Sequence, residues 1–185
     1  MLFRSGVVEP RGETLRKLNE IAGGSPSTGT PGNWAEKAVS VALTQDGVRE
    51  QPLGSNSGPK VDEYLKSVGI MHPDLWCMAF VYWCFQQGAG QVGTTNALKK
   101  TASCTDLYSW AKVNGKLATS PQRGDIFLVR GGAAGRTHQH TGIVTSVSVG
   151  NVRTIEGNTN NDGSSNGIGV FQRTRSAGNL DFVRV

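Results

Sequence analysis

The sequence lacks any hydrophobic run long enough to cross a membrane, which takes roughly 18 apolar residues. The N-terminal residues 1–6 also lack the apolar core of a secretory signal, so we expect release by lysis or by a dedicated export route. Cysteine is scarce, and the three residues Cys77, Cys84 and Cys104 include no CxxC pair. These absences argue against a membrane-spanning segment, a disulfide-framed domain and a structural zinc site. We expect no membrane partner.

An odd number of cysteines leaves at least one thiol free. A bridge between Cys84 and Cys104 would make Cys77 that free thiol. Buried thiols also commonly act as small hydrophobic side chains, so three unpaired cysteines are the alternative.

The chain of 185 residues carries a formal net charge of +5 and has a pI near 9.3. This charge favours an anionic partner such as nucleic acid, a membrane surface or the bacterial cell wall. The basic residues are scattered along the chain, and they do not alternate with aromatic residues as in single-strand binders. We therefore expect no nucleic-acid partner.

The first 33 residues predict an arm rather than a folded domain. Residues 12–22 place Leu15, Leu18 and Ile21 at helical spacing, and the Gly-, Ser- and Pro-rich stretch that follows is typical of a flexible linker. The compact domain is predicted to span residues 34–185.

Helical patterns dominate the first half of this domain and strand patterns the second. Helices are predicted from Trp34, over 60–68, from Cys77 to Gly88 and over 105–113. Beyond Gly115 the period changes to alternation, with about five short strands linked by tight turns. This order predicts an α+β fold, with N-terminal helices packed on a bent antiparallel sheet. The strand candidates are residues 125–129, 140–147, 152–158, 169–174 and 180–184.

The longest apolar stretch, residues 75–85, predicts a helix that is buried on all sides. Pro73 and Asp74 are typical of a helix entry and leave Cys77 in the first turn. Free backbone N–H groups and the helix dipole favour a thiolate at that position. Cys77 is therefore a candidate nucleophile, whereas Cys84 on the same helix is interpreted as a core thiol.

A cysteine hydrolase also needs an imidazole and a polar residue that orients it. His140 opens one predicted strand, and Glu156 and Asn158 end the next, so a hairpin would bring all three to the same end of the sheet. His138 lies two residues earlier and would face the same side if the strand extended back. Sequence geometry alone leaves this choice open. We expect His138 to lie in the preceding loop.

Four motifs, in this order, resemble the CHAP domain, a family of cysteine- and histidine-dependent amidohydrolases and peptidases with a papain-like fold. They are Trp-Cys-Met-Ala-Phe-Val at 76–81, Arg-Gly-Asp-Ile at 123–126, His-Thr-Gly-Ile-Val at 140–144 and Glu-Gly-Asn at 156–158. The resemblance implies that Cys77 is the nucleophile, His140 the general base and Glu156 the residue that orients it. It also implies that Asn158 is an accessory polar group, and it favours His140 over His138.

The resemblance further implies that the substrate is an amide bond in the peptides of bacterial peptidoglycan, cleaved at the cell wall through a thioester acyl-enzyme. A cysteine amidase on another amide or protein, and a non-catalytic wall-binding module of the same fold, are the alternatives. Trp76 and His138 are candidates for contact with substrate. We expect a monomer without a cofactor, and no catalytic metal because the histidines and cysteines lack ligand spacing. Residues 160–163 resemble a calcium loop but lack its number of carboxylates, so we interpret them as a turn.

Overall fold

A computed structural model describes residues 33–133, 135–160 and 166–185 of the chain. The predicted arm, except Asn33, and most of the predicted turn at 160–163 lie outside the described residues. The described part contains four α-helices: α1 (Asn33–Leu43), α2 (Pro59–Ser67), α3 (Cys77–Gln91) and α4 (Cys104–Val113). All four were expected from the helical spacing of their apolar residues.

Helix α3 is the buried helix that the apolar run predicted. Ten of its fifteen residues are buried. The ring of Trp34 in α1 meets Phe85 edge-on at 5.3 Å, and that of Tyr64 in α2 meets Phe80 at 5.4 Å. Full burial of each such apolar side chain stabilises the fold by roughly 1.5–3 kcal/mol. The helix that carries Cys77 is therefore held by packing on several sides.

The strands form one antiparallel sheet in the order β1-β6-β2-β3-β4-β5. Their bounds are β1 (Leu117–Ala118), β2 (Ile126–Arg130), β3 (His138–Ser148), β4 (Asn151–Thr159), β5 (Gly169–Ser176) and β6 (Leu180–Val183), with a 3₁₀ turn at Ala177–Asn179. The predicted α+β fold is confirmed, but the expected strand number, about five, is one too low. The missed strand, β1, has two residues, too few to show alternation.

The sheet is bent, as predicted, and its two faces bury different clusters. Register shifts occur in β3 between Val144 and Ser146 and in β4 between Glu156 and Thr159. Bulges of this kind increase the local twist and re-aim side chains. Apolar side chains on one face pack against the helices, and those on the other form a second cluster. The helix-facing side chains are Ile126, Leu128, Ile143, Ile155, Val170 and Val183, and the second cluster is Phe127, Val144, Val152, Leu180 and Phe182.

Strand β4 lies directly on helix α3 at Gly157. A Cβ atom at this position would lie 2.7 Å from both the Phe80 Cβ and the Trp76 Cζ3, closer than side chains ever approach. Only glycine therefore permits this contact. Gly157 separates Glu156 from Asn158, so the contact fixes β4 against the helix that begins at Cys77.

Candidate active site

Cys77 is the first residue of α3, as predicted. The preceding residue, Trp76, makes no side-chain cap, so the backbone N–H groups of the first turn are free to bind an anion. The Cys77 thiol has its pKa lowered well below its usual value, first by the Cys104 thiol and further by His140, although burial opposes both. These contacts favour the thiolate form of Cys77, the predicted nucleophile.

His140 and Glu156 meet across neighbouring strands, as the hairpin argument predicted. The Nε2 atom of His140 lies 2.9 Å from Oε2 of Glu156, and both side chains are buried. This bond uses Nε2, so Nδ1 is the ring nitrogen left for Cys77. Nδ1 makes no hydrogen bond to any other described residue, which leaves it free to exchange a proton with the reacting groups.

The Glu156 carboxylate is fixed by three partners. Besides His140, the Thr154 hydroxyl donates to Oε1 at 2.6 Å. Arg175 in β5 donates from Nε to Oε1 at 2.6 Å and from Nη2 to Oε2 at 2.5 Å. A two-pronged guanidinium–carboxylate pair is both strong and directional. Glu156 can therefore hold the imidazole in one orientation.

The protonation states follow from these contacts. Burial alone would lower the pKa of His140, but Cys77 and Glu156 outweigh it and raise the pKa to about 9. Burial alone would raise the pKa of Glu156, but Arg175 and His140 lower it to about 2. These shifts favour a thiolate, an imidazolium and a carboxylate in sequence, the arrangement of an activated cysteine nucleophile.

Asn158 lies near the end of β4 in a left-handed backbone conformation, with φ of 55°. Its side chain is fully buried, and neither Oδ1 nor Nδ2 has a hydrogen-bond partner within the described ranges. Glu156, rather than Asn158, bonds to the His140 ring. An accessory role for Asn158 remains a prediction.

The structure separates His138 from His140. The prediction that His138 lies in a loop is wrong, because it is the first residue of β3. Its Nδ1 is 3.0 Å from the Thr137 hydroxyl and its Nε2 is 2.9 Å from Oδ2 of Asp181. Its ring also lies against Tyr108, with centroids 4.2 Å apart. Both ring nitrogens of His138 thus form hydrogen bonds to residues other than Cys77.

Trp76 does not fit the predicted contact with substrate, because its side chain has no exposed surface. It stacks on Tyr64 with ring centroids 5.8 Å apart and donates from Nε1 to Oε1 of Glu50 at 2.8 Å. Its position beside Cys77 was the reason for considering it a candidate for contact with substrate. The side chain instead points into the core, where it anchors the start of α3.

A cleft of about 380 Å³ opens beside Cys77 and reaches the His138 side chain, as predicted for a cleft-lining residue. It lies between the starts of α3 and α4. The lining residues are Asp74, Leu75, Cys77, residues 101–106, Arg136, His138 and Gln139. A peptide segment placed there would present a carbonyl group to the thiolate.

Sequence reasoning missed two residues of the site, Cys104 and Arg175. Cys104 is the first residue of α4, after the N-cap Ser103, and its Sγ lies 3.9 Å from that of Cys77. All three cysteines are free thiols in the structure, and Cys104 lies beside Cys77. Ser103 is a typical N-cap residue, and this feature of the sequence could have indicated that Cys104 begins a helix. Nothing local distinguishes Arg175 from Arg173, the other arginine of β5.

Neither a metal site nor a membrane-spanning helix is found in the part of the chain that the structure describes. Within the described ranges, no three His, Cys, Asp or Glu side chains lie together in a way that could hold a metal ion. None of the helices described is both long and apolar enough to span a membrane.

The fold and the arrangement of Cys77, His140 and Glu156 are those expected of a CHAP domain, and comparison with known families bears on this resemblance. The CHAP domain family model matches residues 69–158, a range that includes Cys77, His140, Glu156 and Asn158. In this part, which is just under half of its length, the chain is similar to the CHAP domain family.

Solved structures that match part of this chain include the crystal structure of Ly7917 and that of Ly7917 with the hydrolyzing product of MDP. Both are 16% identical to this chain, with TM-scores of 0.46 and 0.45. Each alignment covers 81% of this chain but 62% of the other, so the chain spans less than two thirds of that protein. No curated protein matches the chain significantly.

Proposed function

We propose that the chain is a cysteine-dependent hydrolase that cleaves amide bonds in the peptides of bacterial peptidoglycan. The observation that carries the chemistry is the position of Cys77, at a helix start and within electrostatic reach of the His140–Glu156 pair. The similarity of residues 69–158 to the CHAP family supports the substrate class. The net charge of +5 suits approach to an anionic cell wall.

The reaction proceeds in two halves. The Cys77 thiolate attacks the amide carbonyl carbon, and the free N–H groups at the start of α3 stabilise the resulting oxyanion. The His140 imidazolium gives its proton to the amide nitrogen as the C–N bond breaks, so the amine leaves and a thioester remains. His140, now neutral, takes a proton from water, and the hydroxide attacks the thioester to release the acid and the thiolate.

We assign the domain to residues 34–185 and its action to the cell wall, as a monomer. Residues 1–33 are the predicted arm. The two forms of the activity, an N-acetylmuramoyl-L-alanine amidase and a peptidoglycan endopeptidase, share every step above and differ only in the bond placed over Cys77.

The test is digestion of purified peptidoglycan, followed by mass spectrometry of the released fragments. We expect soluble fragments with new amino termini from the parent protein and from Cys84→Ala. Cys77→Ala should release none while remaining folded by circular dichroism. The new termini identify the bond.

Binding to peptidoglycan without release of fragments would indicate a wall-binding module of the same fold. Hydrolysis of peptide amides but not of peptidoglycan would indicate an amidase of another substrate. Full activity of a folded Cys77→Ala variant would rule out the mechanism.

A further inference from the structure

Two thiols meet at the base of the cleft. Cys77 begins α3 and Cys104 begins α4, and their sulfur atoms are 3.9 Å apart. Each is 6% exposed, and both line the cleft, so a small molecule in the cleft reaches the pair. The third thiol, Cys84, is completely buried in α3 and lines no part of this cleft.

We propose that Cys77 and Cys104 are a reversible oxidation site, in which a peroxide converts the two thiols into a disulfide. The Cys77 thiolate attacks one peroxide oxygen, the O–O bond breaks, and a sulfenic acid forms on Cys77 with release of hydroxide. The sulfur of Cys104 then attacks the sulfenic sulfur. The S–O bond breaks, the Cys104 proton leaves with the hydroxyl as water, and an S–S bond remains.

The two steps need thiols of different pKa, and Cys77 and Cys104 differ in this way. The attacking thiol must be ionised, and Cys77 has its pKa lowered by the Cys104 thiol and by His140, against the effect of burial. The second thiol must stay unreacted until the first has been oxidised. The pKa of Cys104 is raised by the bond to Cys77 and by burial, which keeps it in the less reactive thiol form. Oxidation at Cys77 removes the thiolate that Cys104 contacts.

The geometry requires a modest movement. A disulfide has an S–S distance of about 2.0 Å, so the sulfur atoms must approach by roughly 2 Å. Both residues lie at helix starts, where rotation about χ1 moves the sulfur without breaking the hydrogen bonds of the helix interior. Cys104 follows residues 94–103, which form no helix or strand.

The consequence for activity rests on the proposed function. The disulfide removes the nucleophile, so the hydrolase is switched off by a peroxide and restored by a dithiol. The bridge also protects Cys77 from further oxidation to sulfinic acid, which a dithiol does not reverse.

The test treats the full chain with hydrogen peroxide, alkylates the remaining thiols in denaturant and identifies them by mass spectrometry. We expect free thiols to fall from three to one, Cys84, with a cross-linked peptide pair about 2 Da lighter than its reduced parts. Dithiothreitol should restore all three thiols and the hydrolysis of peptidoglycan. Cys84→Ala is the matched control and should form the same bridge.

Cys104→Ser separates the bridge from simple inactivation. Relative to its own untreated activity, this variant should lose activity in peroxide and regain little with dithiothreitol, while Cys77 gains about 32 Da as sulfinic acid. Cys104→Ala, with a thermal melt, repeats the measurement if the serine variant folds poorly. Failure of the parent chain to form the Cys77–Cys104 peptide pair, or a bridge that includes Cys84, would overturn the inference. A bridge that forms in a protein without hydrolase activity would keep this inference and refute the proposed function.

Discussion

Arg175 donates two hydrogen bonds to the Glu156 carboxylate, the same carboxylate that bonds to the His140 imidazole. The guanidinium also lies over the Phe127 ring, with its central carbon 5.4 Å from the ring centroid. Arg175 is thus fixed on two sides, and it fixes Glu156 in turn. We consider it a positioning residue, because it reaches the nucleophile only through Glu156 and His140.

Replacing Arg175 with Met should reduce kcat by about 100-fold, because small misplacements of catalytic groups are costly. The acid limb of the pH dependence of kcat should also shift to higher pH in this variant. Arg175 helps to keep the pKa of Glu156 near 2, so its loss lets the carboxyl protonate at a less acidic pH. The measurement is the pH dependence of kcat.

Arg173→Met is the matched control, since Arg173 lies two residues earlier on β5 and bonds to the Asn160 carbonyl instead. Arg175→Lys should restore part of kcat, because it keeps the charge but not the two-pronged bond. An unshifted acid limb in a folded Arg175→Met variant would show that Arg175 is only structural.

The choice of base can be tested by alkylation of Cys77. In the parent protein, iodoacetamide should react with Cys77 at a pH well below the usual pKa of a thiol. The Cys104 thiol favours the thiolate form of Cys77, and so does His140, which stays protonated up to about pH 9. His140→Ala should raise the pKa of Cys77 and slow the reaction at neutral pH. His138→Ala should leave the pH dependence of alkylation unchanged. The opposite pattern would make His138 the base.

Acid stability should depend on Glu156. Its pKa is lowered from 4.5 to about 2 in the folded protein, because Arg175 and His140 outweigh burial. The stabilisation is therefore fully present above pH 4.5 and is lost as the pH falls towards 2. The urea midpoint of the parent should exceed that of Glu156→Gln at neutral pH, and the gap should close in acid.

Glu36→Gln is the control for the acid series, because Glu36 forms an exposed ion pair with Arg123 and such pairs contribute little. Its midpoint should follow that of the parent at every pH. A gap between parent and Glu156→Gln that stayed constant into strong acid would mean that Glu156 is not ionised in the folded state.

Catalysis should be independent of added metal, because the thiolate supplies the nucleophile. A chelator should leave the rate of peptidoglycan hydrolysis unchanged, whereas iodoacetamide should stop it. Activity that disappeared in chelator and returned with zinc would indicate a metal-dependent amidase. Activity that returned only with calcium would indicate a structural ion.

The sequence was most informative where local pattern and function coincide. The apolar run showed the buried helix and placed Cys77 at its start, and strand order was enough to bring His140 to Glu156. These predictions depend on helical periodicity and on the geometry of a hairpin, both of which are local.

The predictions failed, or were silent, where long-range packing decides. Trp76 has the same apolar character whether it faces a cleft or the core, and Tyr64 and Glu50, which settle the matter, are distant in the sequence. His138 belongs to β3 because Arg130 of β2 pairs with it, which no local pattern reveals. The contact between Cys77 and Cys104 joins the starts of two helices 27 residues apart.

The contact at Gly157 makes the helix and the hairpin a single inseparable unit for protein engineering. The backbone of Gly157, rather than an adjustable side chain, sets the spacing between α3 and β4. A library of variants at position 157 would therefore consist mostly of inactive proteins. A transplant of the three reacting residues into another scaffold would need that bare contact as well. The useful diversity for changing the substrate lies instead in Ala102, Arg136 and Gln139, which line the cleft without touching this contact or the Cys77–Cys104 pair.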